Sequence, residues 1–560
     1  MAIANGNFWL QTRAAGGMLF VALLCGLSLM DASHAQTAVA SKAGGAEVQH
    51  AALVALGKRI YREAIDTNGA PVKAMGPSGV VLEGKDAACV TCHRRSGYGG
   101  SEGKYTVRPV TGPALFEDQT LAEHAPRIKA QLGTRLRPAY STETLARAIR
   151  AGTDSSGKPL ETVMPRFPLS DKDLAALAAY LATLSGTDSP GVDQEEIHFA
   201  TVIQPGVTQE RRRAMLDIMQ AFVKDKTSNT RSNEQRREAG VMRMNRSYRK
   251  WVLHVWELSG ASDTWDAQLQ DFYRQQAVFA LVGGLGNASW KPIHAFAERM
   301  EIPSVFAQVD LPEIAGENFY NFYFSRGLTL EAEVLAKFLR EQAGAPTSVL
   351  QIYRPDESGL AVSAAFKAAV PAGLELQDLK LEGAADAAFW QKALAGNPGA
   401  VVLWLGKADL EALPPTASAA IPVYGSYALL GGKVPGALAN AGTNVRLIYP
   451  SDLPPRHDAR LLRTKMWLHS KNIALTDELT QINTQFAMTV VSDAIGHMMD
   501  SFSRDLMVER IEHIVAQTPS PSMYQSVSLG PGQRVAAKGS SVVLLGEKGQ
   551  LKILSDWIVP

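Results

Sequence analysis

The chain has little cysteine: its 560 residues contain only Cys25, Cys89 and Cys92, which excludes a small fold held together by disulfides. It also lacks an excess of either charge, with 56 Lys and Arg against 55 Asp and Glu, and this balance argues against a dedicated nucleic-acid binder. Hydrophobic residues make up 46% of the chain, so a disordered protein is excluded as well. The length is that of roughly three domains or lobes.

Long hydrophobic runs are also missing, and the one extended apolar stretch, at 18–30, is too short to span a bilayer comfortably. Arg13 precedes it and small residues follow it, which predicts a secretory signal peptide over 1–35 and a tail over 36–50. The alternative is a retained N-terminal anchor. We therefore expect a periplasmic mature chain without a transmembrane span, in which cleavage has removed Cys25.

The two remaining cysteines belong to the motif Cys89-Val90-Thr91-Cys92-His93, the pattern of a c-type haem attachment site. Each thiol adds to a vinyl group, and the adjacent imidazole becomes an axial ligand of the iron. A thioredoxin-like pair and half of a zinc site are the alternatives. A zinc site needs two further ligands, which the sequence does not show, and the stretch at 84–88 is unlike the strand that precedes a thioredoxin pair. We predict one covalent haem c.

A low-spin haem needs a second axial ligand, and the candidate is Met164, the one methionine between His93 and Ser185. Pro165 follows it and restricts the backbone. The rival ligand is His124. Ligation by histidine and methionine gives a higher reduction potential than ligation by two histidines, and it fills both axial positions of the iron. We therefore expect single-electron transfer, with no catalytic residues and no enzymatic activity.

Two helical patterns bracket the haem motif. The first, at 51–64, places Gly57 on the same side as its apolar residues, and Ser170 is a candidate N-cap for the second. Close crossing of the two helices at Gly57, near Tyr180, would then be possible. We place an all-α domain at 51–186.

At this point the chain resembles the class I cytochrome c family. The residues that carry the resemblance are Gly57 with Tyr61, the haem motif, Thr111-Gly112-Pro113-Ala114-Leu115, Met164-Pro165, and Leu177 to Leu181. The resemblance implies a haem held by Cys89 and Cys92, with His93 and Met164 as axial ligands and the backbone carbonyl of Pro113 fixing the ring of His93.

The loop after the motif contains three arginines that are candidates for pairing with the haem propionates, and a solvated surface is the alternative for each. They are Arg94, Arg95 and Arg108.

Residues 187–194 are rich in Gly, Pro, Ser and Asp and predict a flexible linker. Beyond it, over 195–560, short apolar strands alternate with helices of 10–15 residues, beginning with a strand at 199–203 and a helix at 210–223. This alternation predicts parallel α/β layers, and a break near 317–327 divides them into two doubly wound lobes. The fold class is thus a small all-α cytochrome c domain followed by a two-lobed α/β domain.

The larger domain resembles the type 1 periplasmic substrate-binding proteins, in particular the branched-chain amino-acid group. The matching segments are 282–292, 302–307, 353–359 and Gly532-Gln533. The resemblance implies two hinged lobes that close on a ligand, with backbone N–H groups of the loop Asn287-Ala288-Ser289 near an anion.

The chain departs from that family at Ser358, where the family has an aromatic residue, and no match is evident to the acid that receives a ligand's amino group. These departures argue against a free α-amino acid as the ligand. The alternative is a lobe pair that binds nothing and only docks proteins.

A basic run extends from Arg211 to Lys250, with twelve Lys and Arg against four acids. Part of it, Lys226–Arg246, is predicted to be an insertion between a helix and a strand. The run is either a solvated face or a docking surface for an acidic redox partner or membrane headgroups. Single histidines such as His254, His294 and His497 show no metal-ligand spacing and are interpreted as structural.

Two functions remain. The first is a periplasmic c-type cytochrome that transfers single electrons and uses its appended domain to dock a partner or a small-molecule ligand. Its predicted redox partners are a quinoprotein dehydrogenase and a downstream oxidase or cytochrome, and no nucleic acid is involved. The alternative is a ligand sensor or solute-binding receptor with a haem redox module.

Overall fold

The computed structural model describes residues 47–102, 105–119, 137–238, 249–316, 318–342, 344–415, 417, 421–441, 444–498, 501–546 and 549–560. The predicted signal peptide, the first part of the predicted tail and the rival ligand His124 lie outside these residues. None of the described helices is both long enough and apolar enough to cross a membrane.

The N-terminal domain, here residues 47–186, is mainly helical and has a hydrophobic core of its own. Its helices are α1 (47–63), α2 (Val90–His93), α3 (Gly112–Phe116), α4 (Thr142–Ala151) and α5 (Asp171–Thr183). Short 3-10 helices lie at Pro77–Gly79 and Gly84–Ala87. Two antiparallel hairpins complete it, formed by β1 (Lys73–Met75) with β2 (Val81–Glu83) and by β3 (Gly100–Glu102) with β4 (Tyr105–Val107).

Helices α1 and α5 cross closely at Gly57, as the sequence predicts. A Cβ atom on Gly57 would lie 2.0 Å from the carbonyl oxygen of Ala176, and the rings of Tyr61 and Tyr180 are 5.4 Å apart beside the crossing. The predicted N-cap is also present, because the Ser170 hydroxyl accepts from the Asp173 N–H in a reciprocal capping box. The crossing holds both helices around the cavity described below.

Replacing Gly57 by alanine is expected to lower the free energy of unfolding of the holoprotein by about 2 kcal/mol or more, because the added methyl forces the two backbones apart. Gly396→Ala is the matched control, since a Cβ there meets nothing within 4 Å. Urea titrations followed by haem absorbance measure both variants. Equal stability of the two variants would show that the helices separate without cost.

The first lobe contains a six-stranded, wholly parallel sheet. Its main order is β10-β9-β7-β5-β6, and β8 pairs with β5 and β9. The strands are β5 (Glu196–Ile203), β6 (Lys250–Glu257), β7 (Ala280–Val282), β8 (Leu285–Ser289), β9 (Ser304–Leu311) and β10 (Asn321–Tyr323). Its helices are α6 (Gln209–Glu238), α7 (Trp265–Gln275) and α8 (Lys291–Arg299), with a 3-10 turn at Ser262–Thr264.

The second lobe is built on a seven-stranded sheet of order β12-β11-β13-β14-β15-β16-β17. Its first five strands are parallel and its last two antiparallel. The strands are β11 (Ser348–Tyr353), β12 (Glu375–Lys380), β13 (Ala400–Trp404), β14 (Val423–Ser426), β15 (Val445–Tyr449), β16 (Ser541–Leu545) and β17 (Leu551–Ile553). The helices are α9 (Leu328–Glu341), α10 (Glu357–Ala369), α11 (Ala387–Leu394) and α12 (Gly436–Ala439), with a 3-10 turn at Lys407–Leu410. The predicted α/β layers are confirmed in both lobes.

Three more helices follow β15, and the chain thereby returns to the first lobe. They are α13 (Arg456–Ser470), α14 (Glu478–Met498) and α15 (Arg504–Ile514), followed by a 3-10 turn at Val515–Gln517. The α14 side chain Phe486 lies 5.5 Å from Phe306 and 5.9 Å from Phe324, measured between ring centroids. The chain then crosses once more to form β16, so three connections join the lobes.

The basic run is more regular than the sequence suggests. Helix α6 continues to Glu238 instead of ending at 223, so the predicted insertion at 226–246 begins as helix. Residues 239–248 lie outside the described part of the chain. The helix is long because residues 224–238 contain neither glycine nor proline.

Candidate functional site

The predicted haem-binding residues meet at one apolar site in the N-terminal domain. Two adjoining cavities share Cys89, His93 and Met164 among their lining residues, and Cys92 lines the second. Helix α2 and its N-cap carry the two cysteines and His93, and the loop between α4 and α5 carries Met164. The other apolar lining residues of the first cavity include Ile60, Val72, Leu115, Leu145, Ile149, Phe167, Leu169, Leu177 and Leu181.

One ring nitrogen of His93 is fixed by the backbone. Its Nδ1 lies 2.9 Å from the carbonyl oxygen of Arg108, so Nδ1 carries the proton and Nε2 keeps its lone pair for a metal. Burial lowers the pKa of His93, against the opposing effect of this hydrogen bond. The neutral imidazole is the form that ligates iron.

The expectation that Pro113 fixes this ring is wrong, because Arg108 supplies the carbonyl. Pro113 instead lies in the first turn of α3, and this segment packs against the end of α5. The N–H of Gly112 donates to Leu184 O at 3.0 Å, and a Cβ on Gly112 would lie 2.3 Å from Ala182 O.

The loop that carries Met164 is held on both sides. Arg166 exchanges two backbone hydrogen bonds with Met75, each of 2.8 Å, and the N–H of Phe167 donates to Ile149 O at 3.1 Å. The guanidinium of Arg166 also donates to the carbonyl of Met164. These hydrogen bonds restrain the loop and thereby limit the conformations that the thioether of Met164 can adopt.

The exit from the haem motif is tied to α1. Arg94 has a φ of 61°, in the left-handed range that costs a non-glycine residue energy, and its carbonyl oxygen accepts a 2.6 Å hydrogen bond from the hydroxyl of Tyr61. Tyr61 is buried. The turn after His93 is therefore fixed by the same helix that crosses α5.

Of the three candidate arginines for the propionates, only Arg108 lines the cavity. Arg94 and Arg95 turn toward the first lobe, where Arg94 donates to His513 Nε2 at 3.0 Å and Arg95 lies 3.8 Å from the ring centroid of Phe319.

Arg137 and Tyr140 also line the cavity, and neither is among the residues predicted from the sequence. The Arg137 guanidinium donates to Ala114 O at 2.6 Å and lies 4.1 Å from the Tyr140 ring centroid. Neither residue belongs to a motif, and only the tertiary fold brings them to the cavity.

The apolar lining, the restrained imidazole and thioether, the two thiols and the basic side chains together fit a haem c. The alternatives fit less well. Within the described part of the chain no group of three or more His, Cys, Asp and Glu side chains could hold a metal ion. A 3-10 helix at Gly84–Ala87, not a strand, precedes the motif, and burial raises the pKa of the Cys89 thiol to about 12, the reverse of an activated redox thiol.

The N-terminal domain packs directly on the first lobe through one face of α15. Asp505, Glu509 and His513 are four residues apart and so share that face. Asp505 pairs with Arg62 at 2.8 Å, Glu509 accepts from the Ser96 N–H at 2.9 Å and from its hydroxyl at 2.6 Å, and His513 accepts from Arg94. We call this set of contacts the α15 interface.

The segment between the domains is held in place as well. The N–H of Ser189 donates to Phe502 O at 2.8 Å, Asp188 pairs with Arg249 at 2.9 Å, and Arg504 donates to Pro190 O at 3.0 Å. The expectation of a flexible linker is thus not met, because the linker residues bond to the first lobe.

Burial raises the pKa of Glu509 to about 7, although the hydrogen bonds from Ser96 oppose the shift. A carboxyl whose pKa is raised on folding binds more protons in the folded state between its usual pKa of 4.5 and about 7. Stability therefore falls as the pH rises through this window. We expect Glu509→Gln to remove about 2–3 kcal/mol of that fall.

The measurement is urea unfolding of the holoprotein at several values of pH between 4.5 and 8. Glu331, whose pKa burial also raises to about 7, accounts for a slope that remains in the variant. Glu257→Gln is the control, because this side chain is 53% exposed in its pair with Arg212. A Glu509→Gln profile that parallels the wild type would contradict the assignment.

The predicted cleft residues Asn287, Ala288 and Ser289 lie on β8 and contact the second lobe. The Ser289 N–H donates to the Glu357 carboxylate at 2.9 Å, and the Ser358 hydroxyl donates to Asn287 O at 2.8 Å. The Ala288 N–H donates to Gln204 Oε1 at 3.2 Å. A ligand site at these three residues remains a prediction.

Several residues of the basic run are committed to contacts within the chain. Arg211 donates to Asn287 Oδ1 at 2.9 Å, Arg212 pairs with Glu257, and Arg249 is buried against Asp188. The side chains at 229–238 lie outside the description, as do residues 239–248.

The three histidines that are predicted to be structural each contact another group of the protein. His254 Nε2 lies 3.0 Å from His198 Nδ1, and His294 Nδ1 lies 2.8 Å from the hydroxyl of Tyr323. The Nδ1 of His497 lies 2.7 Å from Asp493 O.

Two family models match parts of the chain. The family model described as cytochrome c matches residues 83–185, and the one described as periplasmic binding protein matches residues 258–432. No curated protein matches the chain.

Similar solved structures include a putative branched-chain amino acid ABC transporter from Rhodospirillum rubrum, at 14% identity and a TM-score of 0.44 over 65% of this chain and 100% of that one. The leucine binding protein LivK from Thermotoga maritima is 13% identical, with a TM-score of 0.47 over 65% and 99% of the two chains. A branched chain amino acid ABC transporter from Thermus thermophilus with bound valine is 13% identical, with a TM-score of 0.46 over 66% and 98%.

Proposed function

We propose that this chain, a cytochrome c domain followed by a periplasmic-binding-protein-like α/β domain, is a periplasmic electron carrier that holds one covalent haem and a ligand-binding pair of lobes. The observation that carries the proposal is the cavity shared by Cys89, His93 and Met164, with Nδ1 of His93 held by Arg108 O. The predicted signal peptide supports the location.

The residues of the site would act by binding and orientation. Cys89 and Cys92 would hold the cofactor covalently, His93 and Met164 would occupy both axial positions, and Arg108 would orient the imidazole. A haem bound there takes up and releases one electron at its iron. With His93 and Met164 both serving as iron ligands, the protein would favour electron transfer over oxygen chemistry.

By analogy with the class I c-type cytochromes, we propose a quinoprotein dehydrogenase as electron donor and a downstream oxidase or cytochrome as acceptor. Stopped-flow mixing of the oxidised holoprotein with candidate dehydrogenases and their substrates tests this. Reduction at a rate that saturates with substrate is the expected result. A haem that small reductants reduce, but that no such enzyme reduces, would contradict this choice of donor.

A ligand sensor is the second candidate, and the α15 interface favours it. Helix α15 packs on α14, and the α14 residues Leu479 and Asn483 line a cavity between the lobes. A ligand there can shift the haem potential only to the extent that its affinity differs between the oxidised and reduced forms.

A typical coupling of about 1–3 kcal/mol corresponds to a shift of roughly 40–130 mV for one electron. Spectroelectrochemical titration with and without a saturating ligand separates the two candidates. A shift supports the sensor, whereas an unchanged potential leaves the electron carrier.

A further inference from the structure

A cavity of about 70 Å³ lies between the two lobes. The first lobe contributes Gln308, Asp310 and Asn483 to its lining, and the second contributes Glu331 and Tyr427. This is room for about five water molecules, or for a ligand with a similar number of heavy atoms.

Two buried oxygen atoms of lining side chains have no hydrogen-bond partner among the residues that the structure describes. Gln308 is 6% exposed, and its amide nitrogen donates to Thr480 O at 3.2 Å and to Thr484 Oγ1 at 3.0 Å. This orientation identifies the other atom as the carbonyl oxygen, and it is unpartnered. Glu331 is also 6% exposed; one of its oxygens accepts from the Ala428 N–H at 3.1 Å, and the other is unpartnered. Buried acceptors in this state require a donor.

The charge of the lining is acidic. Asp310 and Glu331 both line the cavity, and Arg211 is the cation among its lining residues. The Arg211 guanidinium is already engaged, since it donates to Asn287 Oδ1 at 2.9 Å and to Gln308 O at 3.3 Å. Burial raises the pKa of Asp310, and it raises that of Glu331 to about 7. A cationic ligand would favour the ionised form of both carboxyls, whereas a neutral ligand would leave the cost of burying their charge uncompensated.

The backbone N–H groups at the neighbouring strand β8, which could bind an anion, already donate to other groups of the protein. The N–H groups of Ala288 and Ser289 donate to Gln204 and Glu357, and that of Trp290 donates to Leu311 O at 3.1 Å. The carboxylate of Glu357, from the second lobe, thus occupies the position that an anionic ligand would need.

From these observations we infer that the cavity between the lobes binds a small ammonium-bearing ligand, whose N–H groups donate to Gln308 Oε1 and the Glu331 carboxylate, and that it rejects carboxylates. The inference rests on the ligand-binding half of the proposed function and names the ligand class. Because residues of both lobes line the cavity, such a ligand would hold the lobes together once bound.

The test is isothermal calorimetry on the full-length holoprotein with three probes of similar size at equal ionic strength. Ethanolamine is the cation, ethylene glycol the neutral comparison and acetate the anion. Ethanolamine is expected to bind at least tenfold more tightly than either comparison probe and to raise the melting temperature. Glu331→Gln is expected to weaken its binding at least tenfold, whereas Glu341→Gln, at the exposed end of the same helix, leaves binding unchanged.

If Glu331→Gln does not fold, Asp310→Asn takes its place with the same expectation. Tighter binding of acetate than of ethanolamine would overturn the inference, as would ethanolamine binding that neither Glu331→Gln nor Asp310→Asn weakens. The absence of ethanolamine binding would also overturn it and would mean that the cavity holds water only. Haem absorbance and reduction by a small reductant are recorded on the same samples. If the haem is oxidised and reduced normally but ethanolamine does not bind, this inference alone is contradicted. If the protein carries no haem, the electron-carrier proposal alone is contradicted.

Discussion

Replacing Met164 by alanine is expected to lower the reduction potential of the holoprotein by on the order of 100 mV, because the thioether that stabilises the reduced iron is lost. The weak near-infrared band of methionine bound to ferric haem should disappear, and the iron should become open to small ligands. Spectroelectrochemical titration and absorption spectra with added cyanide or imidazole measure these changes.

The matched control is Met75→Ala. Met75 is 49% exposed and contacts the same loop through its backbone hydrogen bonds with Arg166, so its side chain should leave both the band and the potential unchanged. If His124→Ala removes the band instead of Met164→Ala, the assignment of the second axial ligand is wrong.

Removing the carboxylate of Asp505 is expected to destabilise the holoprotein by about 2–4 kcal/mol, because it leaves the guanidinium of Arg62 partly uncompensated in a buried interface. Both side chains of this pair are only 12% exposed, and Asp505 also accepts a 2.5 Å hydrogen bond from the hydroxyl of Tyr320. Urea unfolding of Asp505→Ala, followed by haem absorbance and by tryptophan fluorescence, measures the loss. The two signals should report one transition in the wild type and separate in the variant.

The control is Asp271→Ala. Its pair with Arg274 is 58% and 74% exposed for the two side chains, so its removal should change stability by less than about 1 kcal/mol. The double variant with Arg62→Ala then gives the coupling between the two residues. Equal, small losses for Asp505→Ala and Asp271→Ala would mean that the two domains touch without stabilising one another.

The sequence predicts best what depends on neighbouring residues. The haem motif and the alternation of strands and helices are local patterns, and the structure contains the α/β layers that the alternation predicts. The close crossing at Gly57 joins distant residues, and it could be predicted because both helices have a clear pattern and glycine permits close approach. The ring partner of His93 was assigned to Pro113 instead of Arg108 because the choice depends on how the loop folds back, which spacing does not determine.

The α15 interface could not be predicted for a related reason. Asp505, Glu509 and His513 have the spacing of one helical face, which is visible in the sequence, but Arg62 and Ser96 lie more than 400 positions earlier. The same holds for α14, whose place in the first lobe follows from long-range packing of Phe486. The flexible linker is predicted from composition alone, which does not reveal the hydrogen bond from the Ser189 N–H to Phe502 O.

The central claim is that this chain carries one covalent haem. It is tested most directly by the mass of the protein purified from the periplasm of a host that matures c-type cytochromes, measured after denaturation and compared with a Cys89→Ala, Cys92→Ala variant. We expect the wild type to have the mass of residues 36–560 plus a single haem, with the haem absorbance remaining on the denatured chain, and the variant to lose both. A wild-type chain whose mass lacks the haem, or whose haem is extracted by denaturation, would contradict the account.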